Sequence, residues 1–465
     1  MTISRQLARE AREWTYEQLP ADVIHEAKRR LIDMLACVIG GYDSPPSQVI
    51  QKLIRQVGGP AESTVCGSGE RTSAMNAALA NGVMLRFTEA MDRSIEGPNG
   101  VTSHGHPGEV IPCILAVGER QHATGKDVIA AIVLGYQLMN RLSYAMGGTV
   151  AVSRFGWKHE IRAGVILPLI VGKLLGLTEQ EMVHAVGISG SFTGELGILD
   201  HGSEVVPMAR ELRIPYAAYQ AIFTALMAQN GFEGPDRVFE GHHGFAEVMV
   251  GGKIDLDRLT RRDADFNIMY TTTKAYPVNG KLQGQTEALL RLVADHGLTP
   301  ERIARVKITT SPRVVEHMGD PGTHRYPETK ETADQSAYYA AAVAIVDGSV
   351  RLALDQFTPE RLRDPGLRSV IDRIEVVANP EWRNDKAPTE VEVTTHEGTT
   401  YRHRVEHPKG HVLNPMTDAE LEDKFRGMSS RFMSEEQMTR IFHAVHGLER
   451  SNDIGELTRL LVFAG

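Results

Sequence analysis

Two histidines stand directly before a stretch that has the pattern of a buried helix. His104 and His106 lie in the run HGHPGEVIPCILAVGE, and Pro107 follows the second histidine. Proline is favoured in the first turn of a helix, and the free N–H groups of that turn can bind a carboxylate. The spacing predicts an imidazole beside an anion-binding helix end, with His106 preferred because His104 lacks the adjacent proline. The alternative is a polar loop before a core helix.

A third histidine, His159, immediately precedes the apolar run EIRAGVILPLIVGKLLGL. The positive end of a helix disfavours an imidazolium, and burial acts in the same direction. A histidine that is neutral at pH 7 can accept a proton, as a general base must. The sequence therefore offers His159 as a base, and the alternative is a hydrogen-bonded histidine without a chemical role.

Motifs for cofactors and metals are missing. No G-x-G-x-x-G follows a predicted strand, and Gly125-Lys126 lacks the upstream glycine of a phosphate-binding loop. The run GISGS at 187–191 ends in serine where a nucleophile elbow needs glycine. The 18 histidines include no H-E-x-x-H, and zinc-ligand spacing is absent. We therefore expect chemistry by protonic side chains alone, with no cofactor and no metal.

Composition limits the class of protein and its partners. The 465 residues exceed one ordinary core and suggest two domains, while 42% hydrophobic and 23% charged residues are typical of globular chains. A net charge of -9 without a basic stripe argues against nucleic acid as a partner. The three cysteines have no CxxC spacing, and neither a secretory signal nor a membrane-spanning run is visible. We expect a cytoplasmic protein with no membrane partner.

The sequence pattern changes twice along the chain. Helical periodicity dominates residues 1–265, with glycines ending the helix that contains Val23 and a capping box at Thr178 and Glu181. From residue 266 β-branched, alternating runs appear between helices, including a hairpin predicted to turn at Glu397-Gly398.

Helical periodicity returns after residue 408, with further capping boxes at Thr417/Glu420 and Ser434/Gln437. The predicted fold is mainly α with a smaller α+β domain. Residues 1–265 and 409–465 would form the helical domain, and residues 266–408 would be the α+β lid inserted into it.

Six segments, in this order and spread over most of the chain, resemble the MmgE/PrpD family. They are EAKRRLIDMLACVIGG, AMD with HPGEVIPCILAVGE, KHEIRAGVILPLIVGKLLGLTEQEMVHAVGISG, KAYPVNGKLQGQTEAL, ETADQSAYYAAAVAIVDG and NPMTDAELEDKF. That family includes 2-methylcitrate dehydratase, cis-aconitate decarboxylase and iminodisuccinate epimerase. The resemblance implies a two-domain fold of the predicted kind, a homodimer, and catalysis without metal or organic cofactor.

The resemblance also assigns site residues. The family's catalytic positions fall on Asp92, His106, His159, Lys274 and Tyr339. A basic residue of some members falls on or near Arg210, and where the family often has a histidine after the Tyr-Pro pair this chain offers Asn279 or Lys281. We expect Arg210, Lys281 and His104, the competitor of His106, to bind substrate.

Alternatives remain open at several of these positions. Arg213 could take the place of Arg210, and Tyr338 is the neighbour of Tyr339. Where the family commonly has an Asp-rich run, this chain continues from Asp92 with Arg-Ser-Ile-Glu, which weakens the hydratase interpretation specifically.

Such a set of groups would form a local cationic spot on an acidic chain, suited to a di- or tricarboxylate. The leading hypothesis is a dehydratase in which His159 removes the proton α to a carboxylate and Lys274 or Tyr339 protonates the leaving hydroxyl. Asp92 would orient a histidine or accept a hydrogen bond from a substrate hydroxyl. An epimerase and a decarboxylase use the same electrostatic design. A hypothesis of another class is a non-catalytic dimer that binds a ligand.

Overall fold

A computed structural model describes residues 1–98, 102–148, 152–200, 204–262, 265–352, 354–382 and 388–463. The fold is mainly α with small sheets, as predicted. The α-helices within these ranges are α1 (Ile3–Glu13), α2 (Ala21–Gly40), α3 (Pro45–Val57), α4 (Ala74–Phe87), α5 (Ile111–Arg120), α6 (Gly125–Ala145), α7 (Ala163–Leu174), α8 (Glu179–Ser191), α9 (Arg213–Gln229), α10 (Phe245–Val250), α11 (Leu256–Thr260), α12 (Gln283–His296), α13 (Pro312–Met318), α14 (Lys330–Ala333), α15 (Ala337–Asp347), α16 (Pro359–Leu362), α17 (Pro365–Ile371), α18 (Asp418–Ser429), α19 (Glu435–His446) and α20 (Gly455–Leu460).

The helix starts follow the predicted capping chemistry. The Thr178 and Thr417 hydroxyls accept from the backbone N–H three residues on, and the glutamates there bond back, which completes both capping boxes. At α19 the Ser434 hydroxyl caps the helix alone. Gln437, expected to complete that box, instead donates to the carbonyls of Leu460 and Val462.

The strands form three small sheets. They are β1 (Ser63–Thr64), β2 (Arg71–Thr72), β3 (Arg93–Glu96), β4 (Thr102–Gly105), β5 (Thr271–Thr272), β6 (Ile303–Thr310), β7 (Ile374–Ala378), β8 (Thr389–Thr395) and β9 (Thr400–Val405). The largest sheet has the order β7-β6-β8-β9, with β6 parallel to β7 and antiparallel to β8. The predicted hairpin is present as β8 and β9, and Gly398 takes a positive φ of 84° at its turn.

The sheet of order β4-β3-β5 was not expected, because the first 265 residues have helical periodicity. Its strands are two to four residues long, and β3 pairs with β5 from a distant part of the sequence, so local pattern carries no signal for this sheet. This sheet matters for the site because β3 carries Arg93, β4 carries His104, and β5 leads directly to Lys274.

Two hydrophobic clusters divide the buried residues. The larger core joins side chains between Ile3 and Ile268 to side chains of the C-terminal helices between Leu421 and Leu461. The smaller core lies between Val278 and Val405. The exact domain boundaries placed at residues 265 and 408 stay a prediction. Within the described ranges no helix has both the length and the apolarity needed to cross a membrane.

A buried ion pair fixes the C-terminal helix α18 to α2. The Lys424 Nζ atom lies 2.5 Å from Asp33 Oδ1 and donates to the Ala90 carbonyl at 2.7 Å. Both side chains are about 1% exposed. Since Ala90 belongs to the loop that ends at Asp92, the returning C-terminal segment is tied to the site described below.

Replacing Lys424 by methionine is expected to destabilise the protein by about 3–5 kcal/mol, because the Asp33 carboxylate would stay buried without its cation. The matched control is Arg431→Met, which removes a pair with Asp43 whose side chains are 44% and 42% exposed. That change should cost about 0–1 kcal/mol. Urea unfolding of both variants measures the difference, and equal losses would contradict the importance of the buried pair.

Candidate active site

A cavity of about 380 Å³ lies between the two cores. On the side of the larger core its lining residues include Arg93, His104, His106, Arg154, Lys158, His159 and Asp200. On the side of the smaller core they include Asn279, Gly280, Lys281, Arg313, His317, His324 and Gln335. The cavity therefore joins segments that are far apart in the sequence.

Three imidazoles meet at one side of the cavity. The ring centroids of His104 and His159 are 4.3 Å apart at an interplanar angle of 84°, and those of His106 and His159 are 6.3 Å apart. His106 precedes the 3₁₀ turn Pro107–Val110 that leads into α5, and His159 opens the turn His159–Arg162 before α7. The position of both histidines at helical starts agrees with the sequence analysis.

The backbone of Asp92 fixes the orientation of His106. The Nδ1 atom of His106 lies 2.6 Å from the Asp92 carbonyl oxygen. Because a carbonyl can only accept, Nδ1 carries the proton and Nε2 keeps the lone pair. In this tautomer His106 can accept a proton through Nε2.

The Asp92 side chain makes its hydrogen bonds inside the protein. Its Oδ1 accepts from the Gly108 N–H at 3.1 Å, and its Oδ2 accepts from the Tyr136 hydroxyl at 2.5 Å. Burial raises the pKa of Asp92 to about 6. The helix-start N–H group at Gly108, expected to bind an outside carboxylate, is thus occupied by this one. Asp92 positions His106 and does not line the cavity.

Glu160 accompanies His159. The His159 Nε2 and Glu160 Oε1 atoms are 2.6 Å apart, and the other Glu160 oxygen contacts Arg213. Burial alone would raise the pKa of Glu160, but Arg213 and Arg86 outweigh it and lower that pKa to about 2. The contact between His159 and Glu160 does not have the geometry of a hydrogen bond, and neither ring nitrogen of His159 has a hydrogen-bond partner among the described residues. The nearby negative charge still favours a proton on Nε2, which leaves the lone pair on Nδ1.

All three histidines are held neutral at pH 7. Burial is the largest cause that lowers the pKa of each well below 6.5, and neighbouring positive charge acts in the same direction. For His159 the next causes are Arg213, Arg162 and Lys158. Neutral imidazoles among cations can act as bases.

Positive charge dominates the cavity wall. The cationic side chains there are Arg93, Arg154, Lys158, Lys281 and Arg313. Among the described residues that line the cavity, Asp200 is the one carboxylate, and it lies 3.7 Å from the Lys158 Nζ atom. The number of cationic side chains in the wall makes the cavity attractive to a small anion.

Two predicted site residues, Lys274 and Arg210, converge on Glu89 and not on this cavity. The Lys274 Nζ atom donates to the Glu89 carbonyl at 2.8 Å and to its carboxylate at 2.7 Å. Arg210 donates to the other carboxylate oxygen at 2.7 Å. Both cations are buried, so the roles expected for them as proton donor and substrate anchor do not fit this placement. No local pattern in the sequence distinguishes Glu89, beyond the need of buried cations for an anion.

Tyr339 also lies away from the cavity. Its side chain is fully buried in the smaller core, and its hydroxyl donates to the Gln356 carbonyl at 2.6 Å. Burial raises the pKa of Tyr339, which makes it a poorer proton donor. The hydroxyl of Tyr338, the alternative, donates to the Gly319 carbonyl at 3.0 Å. Neither tyrosine fits the expected role of acid, because helix α15 packs both against the protein's own backbone.

Four of the residues predicted to act on the substrate do line the cavity. They are His104, His106, His159 and Lys281. Arg213, the alternative to Arg210, is bound to Glu160 and Glu195 and serves as their counter-charge.

Other lining residues were not predicted from the sequence. They include the cations Arg93, Lys158 and Arg313 and the histidines His317 and His324. For Arg93 and Lys158 a signal existed, since each adjoins a residue already singled out.

In the part of the chain that the structure describes, two groups of side chains come close enough to share a metal ion. Ligand atoms of His106, His159 and Glu160 lie within 4.8 Å of one another, and so do those of the exposed set His242, His243 and Glu247. At the buried set Arg213 already neutralises Glu160, and further cations surround His159. This charge disfavours a divalent cation. The absence of a catalytic metal stays a prediction.

Comparison with known proteins gives matches over most of the chain. Residues 5–257 match the MmgE/PrpD N-terminal domain, and residues 276–448 match the MmgE/PrpD C-terminal domain. A cis-aconitate decarboxylase-like protein of Aspergillus oryzae is 28% identical, covering 95% of this chain and 94% of that protein. The cis-aconitate decarboxylase of Aspergillus terreus is 25% identical over 96% and 93%. The 2-methylcitrate dehydratase of Cupriavidus necator is 23% identical over 88% and 87%.

Proposed function

We propose that this chain, which belongs to the MmgE/PrpD family, is a lyase that acts on a small di- or tricarboxylate. In the leading form it is a dehydratase that begins by proton abstraction α to a carboxylate. The observation that carries the proposal is the cavity in which neutral imidazoles stand among five cationic side chains. The names of the relatives, which act as decarboxylases or dehydratases, support the same class.

The distribution of the cations favours more than one carboxylate on the substrate. Arg93, Arg154 and Lys158 belong to the side of the larger core, and Lys281 and Arg313 belong to the side of the smaller core. A ligand with carboxylates at both ends can bind both sides at once. Arginine and lysine bind carboxylates by charge-assisted hydrogen bonds.

For proton abstraction, His159 is the proposed base. Its Nδ1 atom would take the proton from the carbon next to a carboxylate, and Glu160 would stabilise the imidazolium that forms. Negative charge then develops on the substrate carboxylate, where Arg93 and Lys281 can stabilise it. In dehydration the β-hydroxyl leaves with a proton, and Lys158 is the proposed donor because it lines the cavity and burial lowers its pKa.

Decarboxylation is the second candidate. The two Aspergillus relatives described above match at 25–28% identity over at least 95% of this chain, against 23% over 88% for the dehydratase of Cupriavidus necator. In that reaction the bond to the leaving carboxylate breaks, its electron pair stays on carbon, and an acid in the cavity protonates the carbon. The same cations would hold the carboxylates that remain.

A panel of polycarboxylates in deuterated buffer tests the proposal. Citrate, 2-methylcitrate, cis-aconitate and iminodisuccinate are followed by NMR for water loss, carbon dioxide loss, inversion and deuterium incorporation. His159→Gln should slow turnover by about 10²–10⁴-fold, the range for a general base. The exposed His243→Gln is the control and should leave turnover unchanged.

Turnover of one compound by the wild type identifies the reaction, and inversion without loss of mass would establish the epimerase. Binding without exchange or turnover of any compound would favour the non-catalytic dimer. Equal turnover by wild type and His159→Gln would contradict the assignment of the base.

The loss of kcat/KM on the acid side of the pH profile, its acid limb, is expected to occur below pH 6.5. The free base must be deprotonated, and burial with surrounding cations lowers the pKa of His159 from 6.5. As the pH falls through 6.5 the base therefore stays active, and activity is lost only when the pH passes the lowered pKa. Initial rates at subsaturating substrate measure this limb, and a limb at or above pH 6.5 would contradict the proposed state of the base.

We extend the proposal to a homodimer, which would cover an apolar surface beside the cavity. Phe192 and Phe223 are 77% and 50% exposed, and Leu196, Ile198 and Tyr216 are also exposed. Tyr216 and Phe223 share one face of α9. A contact between Arg213 and Glu195 joins α9 to the segment that contains Leu196 and Ile198. Large apolar patches are uncommon on monomers.

Light scattering after size-exclusion chromatography should give the mass of two chains for the wild type and of one chain for Phe223→Glu. Leu413→Glu, a change at a residue that is 71% exposed elsewhere, is the control and should stay dimeric. A wild type that is monomeric at micromolar concentration would contradict the homodimer.

A further inference from the structure

Arg162 is a buried arginine that Glu160 and Glu109 influence from a distance but with which no described carboxylate makes an ion-pair contact. It ends the turn His159–Arg162, is fully buried, and donates through Nη1 to the Met139 carbonyl at 3.4 Å. Its Nε and Nη2 atoms have no hydrogen-bond partner, and no carboxylate lies within ion-pair distance among the described residues. Burial lowers the pKa of Arg162 to about 10, so it stays charged at pH 7.

The guanidinium lies under the peptide that separates two cavity histidines. A Cβ atom on Gly105 would come within 1.5 Å of Arg162 Nη2 and 3.0 Å of His159 Cδ2. Gly105 also has a φ of 122°, which side chains rarely adopt. Glycine between His104 and His106 thus gives the guanidinium room to lie close to this peptide and to His159.

Other fully buried arginines have a carboxylate partner. Arg141 pairs with Glu10 at 2.6 Å, and Arg210 pairs with Glu89 at 2.7 Å. A buried charge without a partner costs folding free energy, and arginine cannot avoid that cost by losing its proton. A cost of this kind persists at functional sites, where stability is exchanged for activity.

We propose that Arg162 is a positioning residue whose charge is fully balanced only when an anion occupies the cavity. Its positive field, acting across Gly105, draws a substrate carboxylate towards the three histidines without touching it. The identity of the anion as a polycarboxylate rests on the proposed function. The lack of an ion-pair contact at Arg162 among the described residues is independent of that function.

Arg162→Met separates this role from a structural one. Methionine keeps most of the apolar stem and removes the charge, so the unfolding temperature of the ligand-free protein should stay equal or rise. The matched control is Arg141→Met, the same change at an equally buried arginine that has its carboxylate. That variant should unfold at a lower temperature, because Glu10 would be left uncompensated.

The second measurement is binding of tricarballylate, a saturated tricarboxylate, by titration calorimetry on the full-length protein. Arg162→Met should weaken the Kd by about tenfold or more, since a cation that attracts the ligand is lost. Arg162→Lys keeps the charge and should recover most of the affinity. With a substrate from the panel, KM should rise in Arg162→Met more than kcat falls.

A loss of stability in Arg162→Met equal to that of Arg141→Met would overturn the inference, and so would unchanged tricarballylate binding in Arg162→Met. Failure of the wild type to bind any polycarboxylate would overturn the proposed substrate class, and with it the assignment of the balancing anion. That result is distinguishable, because the stability comparison of the two arginine variants does not need a ligand.

Discussion

The carboxylate of Glu89 is the contact on which the arrangement of the site depends. It binds Lys274 through one oxygen and Arg210 through the other, each at 2.7 Å. Burial would raise the pKa of Glu89, but the two cations and Arg86 overcome it and hold that pKa well below its usual range. The residues that follow along the loop are tied in the same way, since the Ala90 carbonyl accepts from Lys424 and the Asp92 carbonyl accepts from His106. One short loop therefore connects the C-terminal helices, the segment that enters the smaller core, and the histidine cluster.

The positive charge of the side chains that line the cavity explains two of its properties together. Cations that attract an anionic substrate also disfavour protonation of the nearby imidazoles. His104, His106 and His159 thus remain neutral where a carboxylate would bind. The neutral histidine that can act as base and the cations that can stabilise the developing negative charge therefore belong to one group of side chains.

The sequence was most informative where the signal is local. Capping boxes, the β8–β9 hairpin and the positions of His106 and His159 at helical starts follow from neighbouring residues. The family was also recognisable from segments in order, and both of its domains match. Roles that depend on distant partners were beyond such reasoning. Lys274 and Arg210 looked like site cations, yet what they do is decided by Glu89, which neither periodicity nor spacing distinguishes.

Tyr339 illustrates the same limit, because a tyrosine in an apolar helix is polar or structural according to what its hydroxyl meets, here a backbone carbonyl. Arg93 and Arg313 reach the cavity through a strand pairing and a helix position that no local pattern fixes.

The central claim is that a polycarboxylate binds between the two cores with its carboxylates on the lining cations and its reacting carbon beside His159. A crystal structure of the protein with bound tricarballylate tests it most directly. We predict one ligand carboxylate near Arg93 or Lys281 and another near Lys158 or Arg154. The central carbons of the ligand should lie within reach of the His159 ring. A ligand bound elsewhere, or a cavity in which His106 and His159 face away from the ligand, would contradict it.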